Sequence, residues 1–191
     1  MIEIIVVGGG GHAKVVISIL QKLDYIILGY VDTVDKGSIL GIPCLGNDEE
    51  LFRAKKKVKL ALGIGEITND DFRKLMVLKF LEHGFSFESI VSPNALVNQD
   101  VYIGEGAVVM DGAIIQPGTS IGSYCIVNTR VSIDHDCVIG DYVHLAPAVT
   151  LCGNVSIGSD CMIGSGTTIV NDVTIPEKQF VKAGSLMSQP H

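Results

Sequence analysis

Stepping by six from Val91, every position is aliphatic: Val97, Ile103, Val109, Ile115, Ile121, Val127, Ile133, Ile139, Leu145, Leu151, Ile157, Ile163, Ile169 and Ile175. No insertion breaks the register. Two residues before each stands a small or β-branched residue, such as Ala95, Val101, Ala107, Thr119, Cys125 or Val143. Glycine often follows the aliphatic, as in Ile103-Gly104, Ile121-Gly122, Ile139-Gly140, Ile157-Gly158 and Ile163-Gly164. So strict a period rules out a set of unrelated amphipathic strands and marks a stacked repeat. Side chains that alternate in and out, with a turn every six residues, build short parallel strands laid coil on coil. β-Branched residues suit the strands, and small ones let the chain round the corners.

This pattern resembles the left-handed parallel β-helix of the hexapeptide acyltransferases. The left hand is what the resemblance implies, since the general crossover preference is right-handed. In that family three hexapeptides make one 18-residue coil, so residues 18 apart stack about 4.8 Å from one another. On that arithmetic Cys125 and Cys161 share a column but lie two coils apart. That is roughly 10 Å, beyond the ~7 Å a disulfide can span. They are expected as core thiols, Cys137 belongs to another face, and no cysteine pair has zinc-ligand spacing, so no metal is expected. The outward column Val108, Ile126, His144, Met162 is apolar apart from its histidine. The columns Ile114, Ser132, Thr150, Thr168 and Ser120, Val138, Ser156, Thr174 are far more polar. An apolar outward stripe is expected to meet another subunit. Three-fold closure is what the resemblance implies, and a homotrimer is expected.

The remaining composition narrows the setting. The 191 residues include no apolar run of the ~18 residues a membrane span needs. The apolar start lacks the basic flank of a signal peptide and runs into glycines. Five cysteines read as free thiols of a reducing compartment. A net charge of −7 leaves no basic stripe for a nucleic acid or an anionic membrane. A cytoplasmic protein is expected.

Ahead of the repeats, an apolar run from Ile2 to Val7 meets Gly8-Gly9-Gly10-Gly11-His12-Ala13-Lys14. A helical pattern follows (Val15, Val16, Ile19, Leu20, Leu23), then a second run from Tyr25 to Val31 that ends at Asp32. Strand, glycine loop, helix, strand and acid match the nucleotide fingerprint G-x-G-x-x-G/A through Gly8, Gly10 and Ala13. The glycines let the backbone approach a pyrophosphate in front of a helix N-terminus. About 90 residues is short for two mononucleotide-binding halves, so one nucleotide is expected rather than a dinucleotide. Further elements are expected as a helix near Asn47 to Lys55, a strand from Val58 to Leu62 and a helix from Asp70 to His83. The Lys55-Lys56-Lys57 run reads as a solvated helix end. The domains are therefore 1–88, a Rossmann-like nucleotide-sugar-binding domain, and 89–191, the β-helix.

Of five histidines, His191 is terminal and His83 precedes Gly84 at a helix end. His12 lies in the glycine loop, where phosphate contact, capping and packing all stay open. His135 occupies a corner in Ile133-Asp134-His135-Asp136, where a side chain normally faces solvent and an idle surface histidine is the plain reading; two neighbours argue against it. Gly153 lies one coil above His135, so a bare N–H stands beside an imidazole. That pairs a general base with an oxyanion donor, as acyl transfer requires. Asp136 could fix the ring tautomer and stabilise the imidazolium, and an ordinary histidine pKa near 6.5 suits a base at neutral pH. His144 and Asn128 point outward on the face opposite that corner. They cannot reach His135 within one chain but can across a trimer, so a site shared between subunits is expected.

Taken together, the chain resembles the sialic-acid O-acetyltransferase family and, within it, the bacterial UDP-4-amino-sugar N-acetyltransferases of bacillosamine-type pathways. The resemblance covers nearly the whole chain. It rests on IIVVGGGGHAKVV, GYVDTVDKGSILGIPCLG and VNTRVSIDHDCVIGDYVHLAPAVTLCGNVSIG. It implies that His135 is the catalytic base, that Asp136 assists it and that Gly153 is an oxyanion donor, with Asn128 and His144 also lining the site. It further implies a UDP-amino sugar held by the loop at Gly8, Gly10, Gly11 and His12 and by Asp32. Acetyl-CoA, the co-substrate, is implied to lie along the β-helix near Gly153, Ser165 and Ala183. Two features depart from the family: Asp136 where the amino-sugar enzymes have a glutamate, and a tail reading Val181-Lys182-Ala183-Gly184-Ser185-Leu186-Met187 instead of glycine-x-proline-alanine-lysine. The expected activity is acetyl-CoA-dependent N-acetylation of the sugar's 4-amino group for bacterial glycan biosynthesis. Two alternatives stand beside it: O-acetylation of a sugar hydroxyl of the sialic-acid type, and a non-catalytic nucleotide-sugar-binding protein.

Overall fold

The computed structural model of the chain describes residues 2–54, 58–65 and 71–188. The Lys55-Lys56-Lys57 run, Asp70 and His191 lie outside the described residues. Two compact units divide between Ile90 and Val91.

In the first unit, β1 (Ile2–Val7), α1 (Gly11–Leu20), β2 (Tyr25–Val31), α2 (Asp48–Ala54), β3 (Lys59–Leu62), α3 (Phe72–Glu82) and β4 (Ser86–Phe87) follow one another. The sheet runs β2-β1-β3-β4 and its pairings are parallel. Residues Ile4, Ile5, Val6 and Val7 of the central strand are all buried, as a parallel strand covered on both faces must be. α1 buries Ala13, Val16, Ile17, Ile19 and Leu20. The helix ends at Leu20, before the Leu23 that extends its periodicity in the sequence. α2 starts at Asp48 rather than Asn47, β3 at Lys59 rather than Val58, and α3 ends at Glu82 rather than His83, while β4 had no counterpart in the sequence reading. Gly63 keeps this layer close: a Cβ there would come 2.6 Å from Val6 Cγ1 and 3.0 Å from the Ala13 Cβ.

The second unit is a parallel solenoid of about five turns. Two-residue strands form three parallel sheets of five, six and six strands. Each strand pairs with the one 18 residues on, as in Ile126↔His144, Ser132↔Thr150 and Val138↔Ser156. The aliphatic ladder points inward and makes the core, with Val109, Ile121, Val127, Ile133 and Leu145 fully or almost fully buried. Cys125, Cys137 and Cys161 are buried free thiols. Burial pushes the Cys137 and Cys161 thiols up, which disfavours the reactive thiolate.

The register continues past Ile175 through Phe180–Val181 and Leu186–Met187, inside the expected 89–191. The atypical tail is thus another stretch of coil, with the adaptable Met187 at an inward position. Two expectations need correction. The glycines after the aliphatics do not turn the chain. The residues with positive φ stand two places later, and many are not glycine: Tyr124, Arg130, Asp136, Tyr142, Ala148 and Asn154, at φ 57–60°. Gly104, Gly122, Gly140 and Gly158 instead let neighbouring coils touch. A Cβ on Gly104 would come 2.6 Å from Gly122 C, and one on Gly122 would come 2.6 Å from Gly140 C. Finally, the apolar outward column is not open. Val108 and Ile126 are 0% exposed and His144 6% within the single chain, with Met162 half-buried. Burial within one chain already accounts for its apolar character, so that column is no evidence of a subunit contact. The large apolar side chains that do stand exposed on the solenoid are Leu96, Tyr102, Ile114, Val138, Phe180 and Leu186.

Candidate active site

His135 sits at the corner after strand Ser132–Ile133. The tight turn places Asp136 at φ +59°, which carries its carboxylate back beside the ring. Asp136 Oδ2 lies 2.8 Å from His135 Nδ1. A proton on Nδ1 then donates to the carboxylate and leaves Nε2 with its lone pair free. Gly118, one coil below, makes room for this carboxylate, because a Cβ there would collide with Asp136 Oδ1. The hydrogen bond to Asp136 raises the His135 pKa above 6.5, and the Asp134 charge adds to the effect. The ordinary value expected from sequence is therefore corrected upward. The ring is open to solvent, with the His135 side chain 58% exposed.

One coil above, Gly153 packs against the imidazole edge. A Cβ on Gly153 would lie 2.7 Å from His135 Cε1 and 2.8 Å from Nε2. The following residue ties the coils together, since the Asn154 N–H donates to the His135 carbonyl at 2.9 Å. The Gly153 N–H takes no partner in the backbone ladder among the described residues. A ring nitrogen with a lone pair, a carboxylate on the other side of the ring and a glycine N–H outside the backbone ladder thus lie at one corner. Asn171, another coil along, brings its amide nitrogen to 3.4 Å from that same Cβ position. Sequence reasoning passed over it, although one more step of 18 from Gly153 points to it.

Asn128 and His144 come together on a different face. Asn128 Nδ2 lies 3.3 Å from His144 Nε2, while Asn128 Oδ1 accepts the Thr129 N–H at 2.7 Å. The backbone bond settles which way the amide points, so Nδ2 donates to the histidine. Ser165 and Ala183 are both exposed and stack one coil apart on the corner beside Asn128. The Gly184 N–H donates to the Ser165 carbonyl at 2.9 Å, and Gly164 leaves room for the backbone of Ala183. Within one chain, a whole solenoid face separates these residues from His135.

In the first unit, the glycine loop leaves β1 where the order β2-β1-β3 reverses direction, the place open α/β sheets use for ligands. Gly8 has φ +100° and packs against Gly63 and Ile64. Gly9 N–H donates to Asp32 Oδ2 at 2.7 Å, and Val34 N–H donates to Oδ1 at 3.0 Å. Partial burial pushes the Asp32 carboxyl up, but these bonds outweigh it and hold the group below its ordinary 3.8. Asp32 is thereby an anchor of the loop as well as a candidate ribose contact. Nothing would obstruct a Cβ on Gly10 or Gly11, which leaves the N-terminal face of α1 open. His12 packs against Gly65. That Gly63-Ile64-Gly65 segment was missed in the sequence, though two glycines directly after a strand mark it. Among the described residues no cluster of His, Cys, Asp and Glu is placed to hold a metal, and no helix is long and apolar enough to cross a membrane.

Comparison with known proteins bears on this arrangement. The family described as the PglD N-terminal domain matches residues 3–77, and the bacterial transferase hexapeptide family matches residues 136–171. A histidine-to-asparagine mutant of perosamine N-acetyltransferase from Caulobacter crescentus, solved with CoA and GDP-perosamine, superposes with a TM-score of 0.91. It is 36% identical, over 97% of this chain and 88% of that one. The chain belongs to the bacterial sugar N-acetyltransferase family. Within that family, the GDP-perosamine N-acetyltransferase of Escherichia coli O157:H7 is 29% identical over 76% of this chain and 68% of its own length. The acetyltransferase domain of PglB from Neisseria gonorrhoeae, in complex with acetyl coenzyme A, is 28% identical with a TM-score of 0.85. That match covers 98% of this chain and 93% of that one.

Proposed function

We propose that the chain moves the acetyl group of acetyl-CoA to the 4-amino group of a nucleoside-diphosphate-linked amino sugar. The observation that carries this reading is the packing of His135 against the bare Cα of Gly153, with Asp136 on the far side of the ring. As an acetyl-CoA-dependent sugar acetyltransferase, the chain needs a base, an oxyanion donor and two substrate grooves. The amine nitrogen attacks the thioester carbonyl while His135 Nε2 takes its proton. A C–N bond forms, and the carbonyl oxygen becomes an oxyanion held by the Gly153 N–H. The C–S bond then breaks, and the imidazolium returns the proton to the departing thiolate, leaving amide and free CoA. Asp136 holds the Nδ1 tautomer and stabilises the imidazolium between these steps.

The nucleotide sits on the loop at Gly8, Gly10, Gly11 and His12 with its ribose toward Asp32, and the acetyl-CoA chain runs past Ser165 and Ala183. These residues lie on a corner away from His135, so the complete site is shared between copies in a homotrimer, with Asn128 of one copy facing His135 of the next and the buried His144 behind it, bonded to the Asn128 amide. Exposed Leu96, Ile114 and Val138 supply apolar area for that assembly. The sequence resemblance favours UDP as the nucleotide. GDP-perosamine bound to the Caulobacter relative favours GDP, and at 36% identity it weighs more. Purified protein with acetyl-CoA and a panel of GDP-perosamine, UDP-4-amino sugars and sialic acid tests this, by following thiol release and product mass together. Gain of one acetyl on a nucleotide-linked amino sugar is expected. Acetylation of sialic acid alone would replace the acceptor, and silence across the panel would reject the reading.

A further inference from the structure

The space left by the absent side chain of Gly153 has two nitrogen neighbours. His135 Nε2 stands 2.8 Å from the position of the missing Cβ, and Asn171 Nδ2 stands 3.4 Å from it on the next coil. Polar side chains elsewhere on this corner are already paired: Asp136 with His135 at 2.8 Å, and Asn154 Nδ2 with Asp172 Oδ1 at 2.7 Å. Asn171 is exposed and its amide bonds to no group among the described residues. An amide with uncommitted donors, aimed at the same small volume as the base and next to the Gly153 N–H, has the placement of a second oxyanion donor.

We propose that Asn171 is a further catalytic residue, whose amide N–H joins the Gly153 N–H in binding the thioester oxygen as it becomes an oxyanion. The proposal rests on the acetyl-transfer reading above. In the ground state the carbonyl oxygen is a weak acceptor. When the amine adds, charge collects on it and the two donors hold it until the C–S bond breaks and the thiolate leaves. Asn171 takes no proton and stays neutral throughout, so its contribution appears in the transition state and not in the grip on either substrate. The chain position explains the geometry, since 135, 153 and 171 are successive coils of one column and the middle residue is the one without a side chain.

Asn171→Ala and Asn171→Asp test this against the unmutated chain, whose turnover of an amino-sugar nucleotide is measured first and stands as the separate check on the reading itself. Removing one oxyanion donor costs about 10²–10³ in kcat in a buried site, and at this exposed corner a loss between about tenfold and a hundredfold is expected. The loss is deeper in Asn171→Asp, because a carboxylate opposes the oxyanion. KM for the acceptor and the affinity for CoA itself, which has no acetyl carbonyl, stay within about twofold. Two results overturn the proposal: kcat within twofold of the parent in both variants, or a matching loss of CoA affinity, which would make Asn171 a contact for the coenzyme's chain.

Discussion

Gly153 and His135 pack so closely that no side chain fits between them, for a Cβ on Gly153 would stand 2.7 Å from the ring's Cε1. Gly153 does not have positive φ, so alanine is compatible with its backbone. Gly153→Ala is therefore expected to fold and yet lose kcat by about a hundredfold or more, as the methyl displaces the base or blocks the oxygen's approach. Steady-state kinetics beside a thermal melt checks this. A variant that melts early and keeps its turnover would mean that the glycine serves packing alone.

On the proposed mechanism, Asp136 sets the pH at which His135 can act. The carboxylate's hydrogen bond raises the imidazole pKa, and Asp134 adds to it. A base works only when neutral, so activity rises with pH through that raised value. Asp136→Asn removes the main cause, and the rising limb is expected to move toward lower pH while the plateau drops by about tenfold to a hundredfold through loss of ring orientation. A pH profile of kcat/KM reads both changes. An unmoved limb would separate Asp136 from the base.

The stacked glycines should matter for stability and not for chemistry. A Cβ on Gly122 would come 2.6 Å from Gly140 C, backbone that cannot give way cheaply, so Gly122→Ala is expected to destabilise by about 1–3 kcal/mol. Gly166 has φ +67° but open space around it, and other coils place alanine or asparagine in that conformation. Gly166→Ala should cost clearly less. Denaturant unfolding of the two variants compares them directly.

How much of this was legible in the sequence follows from what a period can say. The six-residue ladder identified the inward side chains, and the 18-residue coil put His135 under Gly153. The same arithmetic reached Asn171 only once the structure showed its amide beside the bare glycine. Periodicity is silent on what covers an outward residue, which is why Val108 and Ile126 read as a subunit contact although a single chain buries them. It is equally silent on why a glycine is needed: Gly104 and Gly122 looked like corner residues, whereas the turns are made two places later by Arg130, Asp136 and their equivalents. The raised His135 pKa depended on the carboxylate's position, which the neighbouring residue names alone do not give.

Asp32 ties the glycine loop to the end of β2 through the Gly9 N–H. Asp32→Ala is expected to raise KM for the nucleotide sugar about tenfold, about 1.4 kcal/mol, with kcat close to the parent value, because a nucleotide contact is made alike in the ground and transition states. The carboxyl's lowered pKa means its contribution is present above pH 3.8 and lost as pH falls through the depressed value. Separate determination of KM and kcat decides the matter, and an unchanged KM would remove Asp32 from the nucleotide site.

The most direct test concerns His135 itself. With acetyl-CoA and an accepted amino-sugar nucleotide, kcat of His135→Ala should fall by about 10²–10⁴, or roughly 3–5 kcal/mol, with the melting temperature unchanged because the ring is exposed. Retention of most of the parent's turnover by a folded His135→Ala protein would contradict general-base catalysis at this corner.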